Sequence, residues 1–193
     1  MLLRTVGKPA EAVSYSARAV ELDPLHPVIL SGHIRNCSYA GRYDLAIKGI
    51  ENGKQLFENS FIFYICRGYY HLDREQYAEA LTNLKKTEEL NPGLKHFHSL
   101  VAFCQARLGK ENSARRHLAT LGTSPDDDLS RAIIYAGTKQ AESSIASLQR
   151  AANQGFVYTD MLLHPAFRLH HRDPRFLEIL KDFGLPAPMA KVN

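Results

Sequence analysis

The feature that most constrains the fold of this chain is a repeat with a period of 34 residues. Alanine recurs at this spacing in four places: Ala12, Ala46, Ala80 and Ala114. A second column with the same period holds Gly7, Gly41, Glu75 and Gly109. Periods of roughly 20–50 residues are typical of repeat architectures, in which each unit packs mainly on its neighbours. The spacing therefore predicts a stack of similar units.

Each unit is predicted to be a pair of helices. In the second unit the first helix covers residues 27–40 and the second covers residues 43–57, with a short turn between them. A small alanine at the start of the second helix lets the two helix axes approach closely. Glycine in the turn suits the left-handed residue that commonly ends a helix. The predicted fold is all-α, an α-α superhelix of about four to five helical hairpins with a C-terminal capping helix.

The period breaks after Leu121. A short helix is expected from the carboxylates Asp126 to Asp128 to about Tyr135, followed by a second helix over 139–153. Residues 1–155 are therefore predicted to form the repeat array.

Residues 156–193 are predicted to form a capping segment that packs on the array. His164-Pro165 and Asp173-Pro174 each open a short helix, and the second presents an apolar face that would cover the end of the array. At the other end, only residues 1–6 remain of the first helix of the first unit. This incomplete hairpin indicates a longer protein or a partner at that end, such as a second copy of the chain. The alternative is that Met1 begins a short helix that is sufficient to cap the array.

Composition narrows the function classes. The net charge is +4, but 24 basic residues are mixed with 20 acidic ones, so direct nucleic-acid binding is not favoured. Three cysteines with no close pair argue against a disulfide framework and favour a reducing, cytoplasmic compartment. The apolar runs are too short for membrane insertion. Phosphate-loop, nucleophile-elbow and metal-ligand patterns are also missing, so no catalytic residue, metal or cofactor is predicted.

Two segments carry a family resemblance, GRYDLAIKGI and REQYAEALTNLKKTEELNP. They resemble the tetratricopeptide repeat family, and the likeness extends well over residues 1–125 and loosely over 126–155. The resemblance implies a protein-interaction module that binds a peptide or helix of another protein. It also implies that the first helices of the hairpins line a concave groove.

Carried over to this chain, the family geometry places nine side chains in that groove. They are Arg35, Tyr39, Ile65, Tyr69, Asp73, Ser99, Leu100, Phe103 and Arg107. Aromatic and arginine side chains provide large contact areas and charge-assisted hydrogen bonds. The alternative is that some of these residues pack inward or lie beneath the C-terminal segment.

A second resemblance concerns the sequence HPAFRLHHRDPRFLEILKDFGLP. It is similar to the end of the tetratricopeptide regions in bacterial signalling proteins that carry a winged-helix regulator or an adenylate cyclase domain. This implies an alternative function, in which the chain is the sensory or regulatory portion of such a protein.

Overall fold

The computed structural model describes residues 7–93 and 95–188, and in this part of the chain the regular secondary structure consists of helices joined by turns and short loops. Its α-helices are α1 (Pro9–Leu22), α2 (Pro27–Tyr39), α3 (Tyr43–Leu56), α4 (Phe61–Asp73), α5 (Tyr77–Leu90), α6 (Lys95–Arg107), α7 (Glu111–Thr120), α8 (Pro125–Gly137), α9 (Ala141–Asn153), α10 (Thr159–Leu162) and α11 (Pro174–Asp182). A 3₁₀ helix, Pro165–His170, lies between α10 and α11. The predicted remnant of the first hairpin, residues 1–6, lies outside the described residues.

The prediction of an all-helical repeat array is confirmed. Helix α1 is the second helix of the first unit, and α2 to α9 form four consecutive hairpins. The alanines of the 34-residue column are buried, at 0–3% exposure, where the two helices of a hairpin approach each other. The bulkier Ile50 and Leu84 are equally buried one turn further along their helices. The repeat columns are therefore the packing positions of the array.

All four complete hairpins close their first helix in the same way. The second residue after the helix has a positive φ, and the next amide donates a hydrogen bond to a carbonyl five residues back. The residues with positive φ are Gly41 (72°), Glu75 (60°), Gly109 (80°) and Lys139 (59°). This is the Schellman arrangement, which glycine adopts easily. Glu75 and Lys139 hold the same conformation at a cost of about 1 kcal/mol each relative to glycine.

The last hairpin is more regular than its sequence indicated. Helix α8 ends at Gly137, two residues later than expected, and the Lys139 turn keeps the pattern of the earlier hairpins. Its N-cap is Ser124, whose hydroxyl accepts a hydrogen bond from the Asp127 amide in a capping box. The three aspartates therefore lie within the first turn, where the helix dipole favours negative charge.

Gly137 allows a close approach between α8 and α6. A methyl group on its Cα would lie 2.9 Å from the Cα of Phe103 and 3.1 Å from the Phe103 carbonyl oxygen. These are backbone atoms, so the two helices would have to move apart. We expect Gly137→Ala to lower the free energy of unfolding by about 1–3 kcal/mol in urea denaturation.

Gly32→Ala is the matched control, because a methyl group at this position of α2 would meet no atom within 4 Å. It is expected to be neutral or to stabilise the protein by up to about 1 kcal/mol, since alanine favours the helix. Equal losses in the two variants would contradict the close packing of α8 on α6.

The C-terminal segment, residues 156–188, folds back over the array. Phe167 of the 3₁₀ helix and Phe176 of α11 are fully buried, in one apolar cluster with side chains of α6, α8 and α9. Helix α11 packs against α9. Its N-cap is Asp173, whose carboxylate accepts a hydrogen bond from the Arg175 amide. The chain then reaches Pro186, which lies beside Gly7 of the first unit. The segment thus joins the two ends of the array.

Candidate partner-binding groove

The groove that the sequence predicted is the surface formed by the first helices of the hairpins. These helices pack side by side in two pairs, α2 with α4 and α6 with α8. The 3₁₀ helix of the C-terminal segment contacts α4 and α8 and so bridges the two pairs. Part of the groove is therefore filled by the chain itself.

Arg35 on α2 binds this segment most directly. Its guanidinium lies 2.7 Å from the Asp160 carboxylate of α10 and stacks over the Tyr69 ring, 4.3 Å from the ring centroid. Burial alone would lower the pKa of Arg35. The Asp160 carboxylate and Tyr69 have a larger, opposite effect, so the pKa of Arg35 is raised. Arg35, one of the two arginines predicted to lie in the groove, therefore forms an ion pair within the chain.

Helix α4 makes a second set of contacts with the segment. Arg168 donates hydrogen bonds to the Asp73 carboxylate at 2.8 Å and to the Asp73 carbonyl oxygen at 2.9 Å. The ring of His164 contacts Tyr69 edge-on, with centroids 5.1 Å apart. The gap that remains between these residues and Tyr39 has a volume of about 20 Å³, enough for about one water molecule. A partner's side chain does not fit there while the segment is in place.

The remaining predicted residues divide into two groups. Ser99, Leu100 and Phe103 of α6 are at least 96% buried, and Ile65 of α4 packs against the same core cluster. Their column spacing placed them correctly on first helices, but the side chains face the interior. Arg107, at the end of α6, lies at an open cavity, and the buried ring of Phe103 forms part of the wall of that cavity.

This cavity, which we call the open pocket, has a volume of about 390 Å³. Its apolar floor includes Tyr77 and Phe103, whose rings meet edge-on at 6.0 Å. The guanidinium of Arg107 lies over the Tyr77 ring, 4.9 Å from its centroid. Lys139 and Arg168 add two further basic side chains to the rim, and Glu75 adds one acidic side chain. Pockets of roughly 300–1,000 Å³ with an apolar floor and a few polar groups are typical of ligand-binding sites.

Sequence reasoning missed Tyr77, Lys139 and Arg168 as pocket residues. Tyr77 belongs to a second helix, which family geometry does not place in the groove. Lys139 is recognisable only once its turn is aligned with the glycine column, and Arg168 reaches the pocket from the C-terminal segment. The open pocket therefore forms where segments far apart in the sequence pack together.

A second cavity, of about 470 Å³, lies on the other side of α6. It is lined by Arg116 and His117 of α7 and by His98, whose Nδ1 lies 2.7 Å from the Glu88 carboxylate. Burial raises the pKa of Glu88 and lowers that of His117. Within residues 7–93 and 95–188, no three His, Cys, Asp or Glu side chains are grouped as metal ligands.

The cysteines are enclosed by the core. Burial raises the pKa of Cys37 to about 11 and the pKa values of Cys66 and Cys104 to about 12. Cys37 lies 3.5 Å from Nε2 of His33, and Ser16 lies 2.9 Å from Nδ1 of the same ring. The Cys37 thiol is fully buried, and burial strongly disfavours its ionisation to the thiolate. Cys37, His33 and Ser16 are therefore not arranged for nucleophilic catalysis.

The C-terminal sequence RLHHRDPR contains several basic residues close together, and the fold separates them. Arg168 binds Asp73, and Arg175 binds Glu142 at 2.8 Å and Asp173 at 2.7 Å. His171 stacks on Phe176, and burial lowers its pKa to about 4. These residues do not form a single cationic surface for a nucleic acid.

None of the helices in the described part of the chain has the length and apolarity needed to cross a membrane.

No protein-family model matches the chain, and no curated protein matches it. Solved structures do match. One is TTC0263, a thermophilic TPR protein of Thermus thermophilus, with 20% sequence identity over 91% of this chain and 92% of that chain and a TM-score of 0.61. Another is YrrB, described as a TPR protein with an unusual peptide-binding site, with 12% identity, coverage of 88% and 91%, and a TM-score of 0.51.

Neither of these two proteins is described as a winged-helix regulator or a cyclase, so the resemblance of the C-terminal sequence to such proteins stays a prediction. Both similar structures align with most of the chain, 91% and 88% of it. Their likeness agrees with the hairpin stacking and the common turn geometry described above. The chain therefore has the tetratricopeptide-repeat fold.

Proposed function

We propose that this protein is a protein-interaction module that binds a peptide or helix of another protein in its groove. The observation that carries the proposal is the open pocket, which combines an aromatic floor with a basic rim at the edge of the groove. YrrB, which has a similar fold, is described as having a peptide-binding site.

The proposal places the partner beside the C-terminal segment. Phe103 and Arg107 of the predicted groove contribute to the open pocket, whereas Arg35, Tyr69 and Asp73 hold the segment. In this arrangement the segment forms one wall of the binding site through Arg168. The partner gains contact area without displacing buried side chains.

The alternative function, a regulatory portion of a bacterial signalling protein, rests on the C-terminal sequence resemblance alone. The two functions are compatible, since a regulatory repeat array also acts by binding polypeptide. A winged-helix or cyclase domain encoded in the same reading frame would support the alternative.

The test of groove binding starts from a displayed library of random peptides selected on the full chain. The most enriched peptide is synthesised with a fluorescent label, and its Kd is measured by anisotropy. We expect Arg107→Glu to weaken binding by about tenfold or more, because the substitution reverses the charge at the rim of the open pocket.

Arg116→Glu is the matched control, since it makes the same charge change in the cavity on the other side of α6. It should leave the Kd unchanged, and both variants should keep the circular dichroism of the original chain. Loss of binding in Arg116→Glu with retention in Arg107→Glu would assign the peptide to the other cavity. That result would contradict the proposal.

A further inference from the structure

We propose that the open pocket selects a partner segment in which an aspartate or glutamate lies next to an aromatic or aliphatic side chain. This inference rests on the proposed function and names the chemistry of the partner.

The basic side chains at the rim of the open pocket differ in whether a carboxylate lies close to them. Arg168 is bound to Asp73 and also faces Glu75 at 4.0 Å. In contrast, neither Arg107 nor Lys139 has a carboxylate within 4.0 Å among the residues that the structure describes. Two cations at the mouth of an apolar cavity attract a carboxylate, and the interaction strengthens as bound peptide excludes water.

The floor of the pocket sets the second requirement. Leu72, Phe103 and Ala136 are buried, and Tyr77 closes this surface beneath Arg107. The apolar surface that stays open belongs mainly to the partly exposed Tyr77 and Leu169, and a carboxylate alone would leave it in water. An aromatic or aliphatic side chain adjacent to the carboxylate would cover it, and burial of that area contributes to affinity.

The turns of the array provide an independent argument. Two of the four equivalent hairpin turns carry glycine at the positive-φ position, Gly41 and Gly109. The other two carry Glu75 and Lys139, and both of these residues line the open pocket. Side chains held in a left-handed conformation that glycine adopts more easily are concentrated at functional sites. The two strained positions thus coincide with the proposed recognition site.

The two side chains have opposite roles in this proposal. Lys139 attracts the carboxylate of the partner. Glu75 lies on the Arg168 side of the pocket and repels a carboxylate placed there, which fixes the orientation of the bound segment.

Lys139→Gly separates recognition from folding. Glycine relieves the positive φ, so the thermal midpoint should stay the same or rise, whereas binding should weaken. A residue with a purely structural role would not give this combination. Glu75→Gly should likewise preserve the midpoint, and it should keep or raise the affinity for an acidic peptide.

The probe is the most enriched acidic peptide from the displayed random library, synthesised once with its carboxylate and once with the matching amide. With the original chain, we expect the amide form to bind about tenfold more weakly than the acid form. Lys139→Gly should weaken the acid form by about fivefold while leaving the amide form nearly unchanged. The preference for the acid form should decrease at higher salt concentration.

The outcomes separate this inference from the proposed function. If peptides bind and depend on Arg107, but the enriched set lacks acidic residues or Lys139→Gly has no effect, the acidic preference is wrong and groove binding stands. If the bound peptide is insensitive to Arg107→Glu, the groove proposal fails as well. Protection of the pocket by a second copy of the chain, seen as dimerisation that Lys139→Gly abolishes, would also overturn the peptide assignment.

Discussion

Truncation of Phe167 to alanine is expected to lower the free energy of unfolding by about 3–5 kcal/mol, which is the usual cost of removing a fully buried phenylalanine ring. Phe167 has no exposed surface. Its ring packs against three others of the C-terminal segment, those of His164, His170 and Phe176, with centroids 6.3–6.4 Å apart. The segment, including this ring, is part of the same apolar cluster as α6, α8 and α9.

The measurement is urea denaturation of Phe167→Ala followed by circular dichroism, with the midpoint and slope fitted together. Leu177→Ala in α11 is the control, because Leu177 is 36% exposed. It should cost less than about 1 kcal/mol. Equally small losses in both variants would show that the C-terminal segment is not packed as a structural part of the core.

This prediction also bears on where a partner binds. A segment whose removal would expose two buried phenylalanines, Phe167 and Phe176, leaves the groove only at a large cost in free energy. A partner that competed with it would have to offset that cost. Binding in the open pocket avoids it, since there the segment supplies Arg168 as part of the site.

Much of the fold was predictable because the residues that recur in the sequence are those that pack the two helices of each hairpin together. Ala46 and Ala80 recur at 34 residues for the reason that the structure shows, which is close contact within each hairpin. Helix bounds in the second unit agree with the sequence to within a residue. The course of α8 was less predictable, because Lys139 occupies a position where the pattern leads one to expect glycine.

The groove was predictable in part. The period identifies equivalent residues in successive units, and the geometry of the tetratricopeptide family, carried over from the resemblance, placed Arg35, Tyr69 and Asp73 on one surface. It contains no information about what covers that surface. Asp160, which binds Arg35, and Arg168, which binds Asp73, come from a segment without a repeat counterpart. Their positions depend on tertiary packing, which single-sequence patterns do not encode.

The pairing of Arg35 with Asp160 provides the most direct test of the segment's placement in the groove. We expect Arg35→Ala to lower the free energy of unfolding by about 1.5–3 kcal/mol, since it removes a charge-assisted hydrogen bond to Asp160 in a partly buried site. Loss of the contact between the guanidinium and the Tyr69 ring adds to this effect.

A double-mutant cycle with Asp160→Ala isolates the pair itself, and the coupling free energy should be about 1–2 kcal/mol. The control cycle uses Arg18 and Glu21 on α1, whose charged atoms are also 2.7 Å apart but whose side chains are more than 60% exposed. Its coupling should be about 0.3–0.5 kcal/mol, because water screens the charges. The two pairs have the same N–O distance, so a larger coupling for Arg35 and Asp160 reflects burial beneath the C-terminal segment. Equal couplings would mean that Asp160 is solvated in solution and that the groove is open.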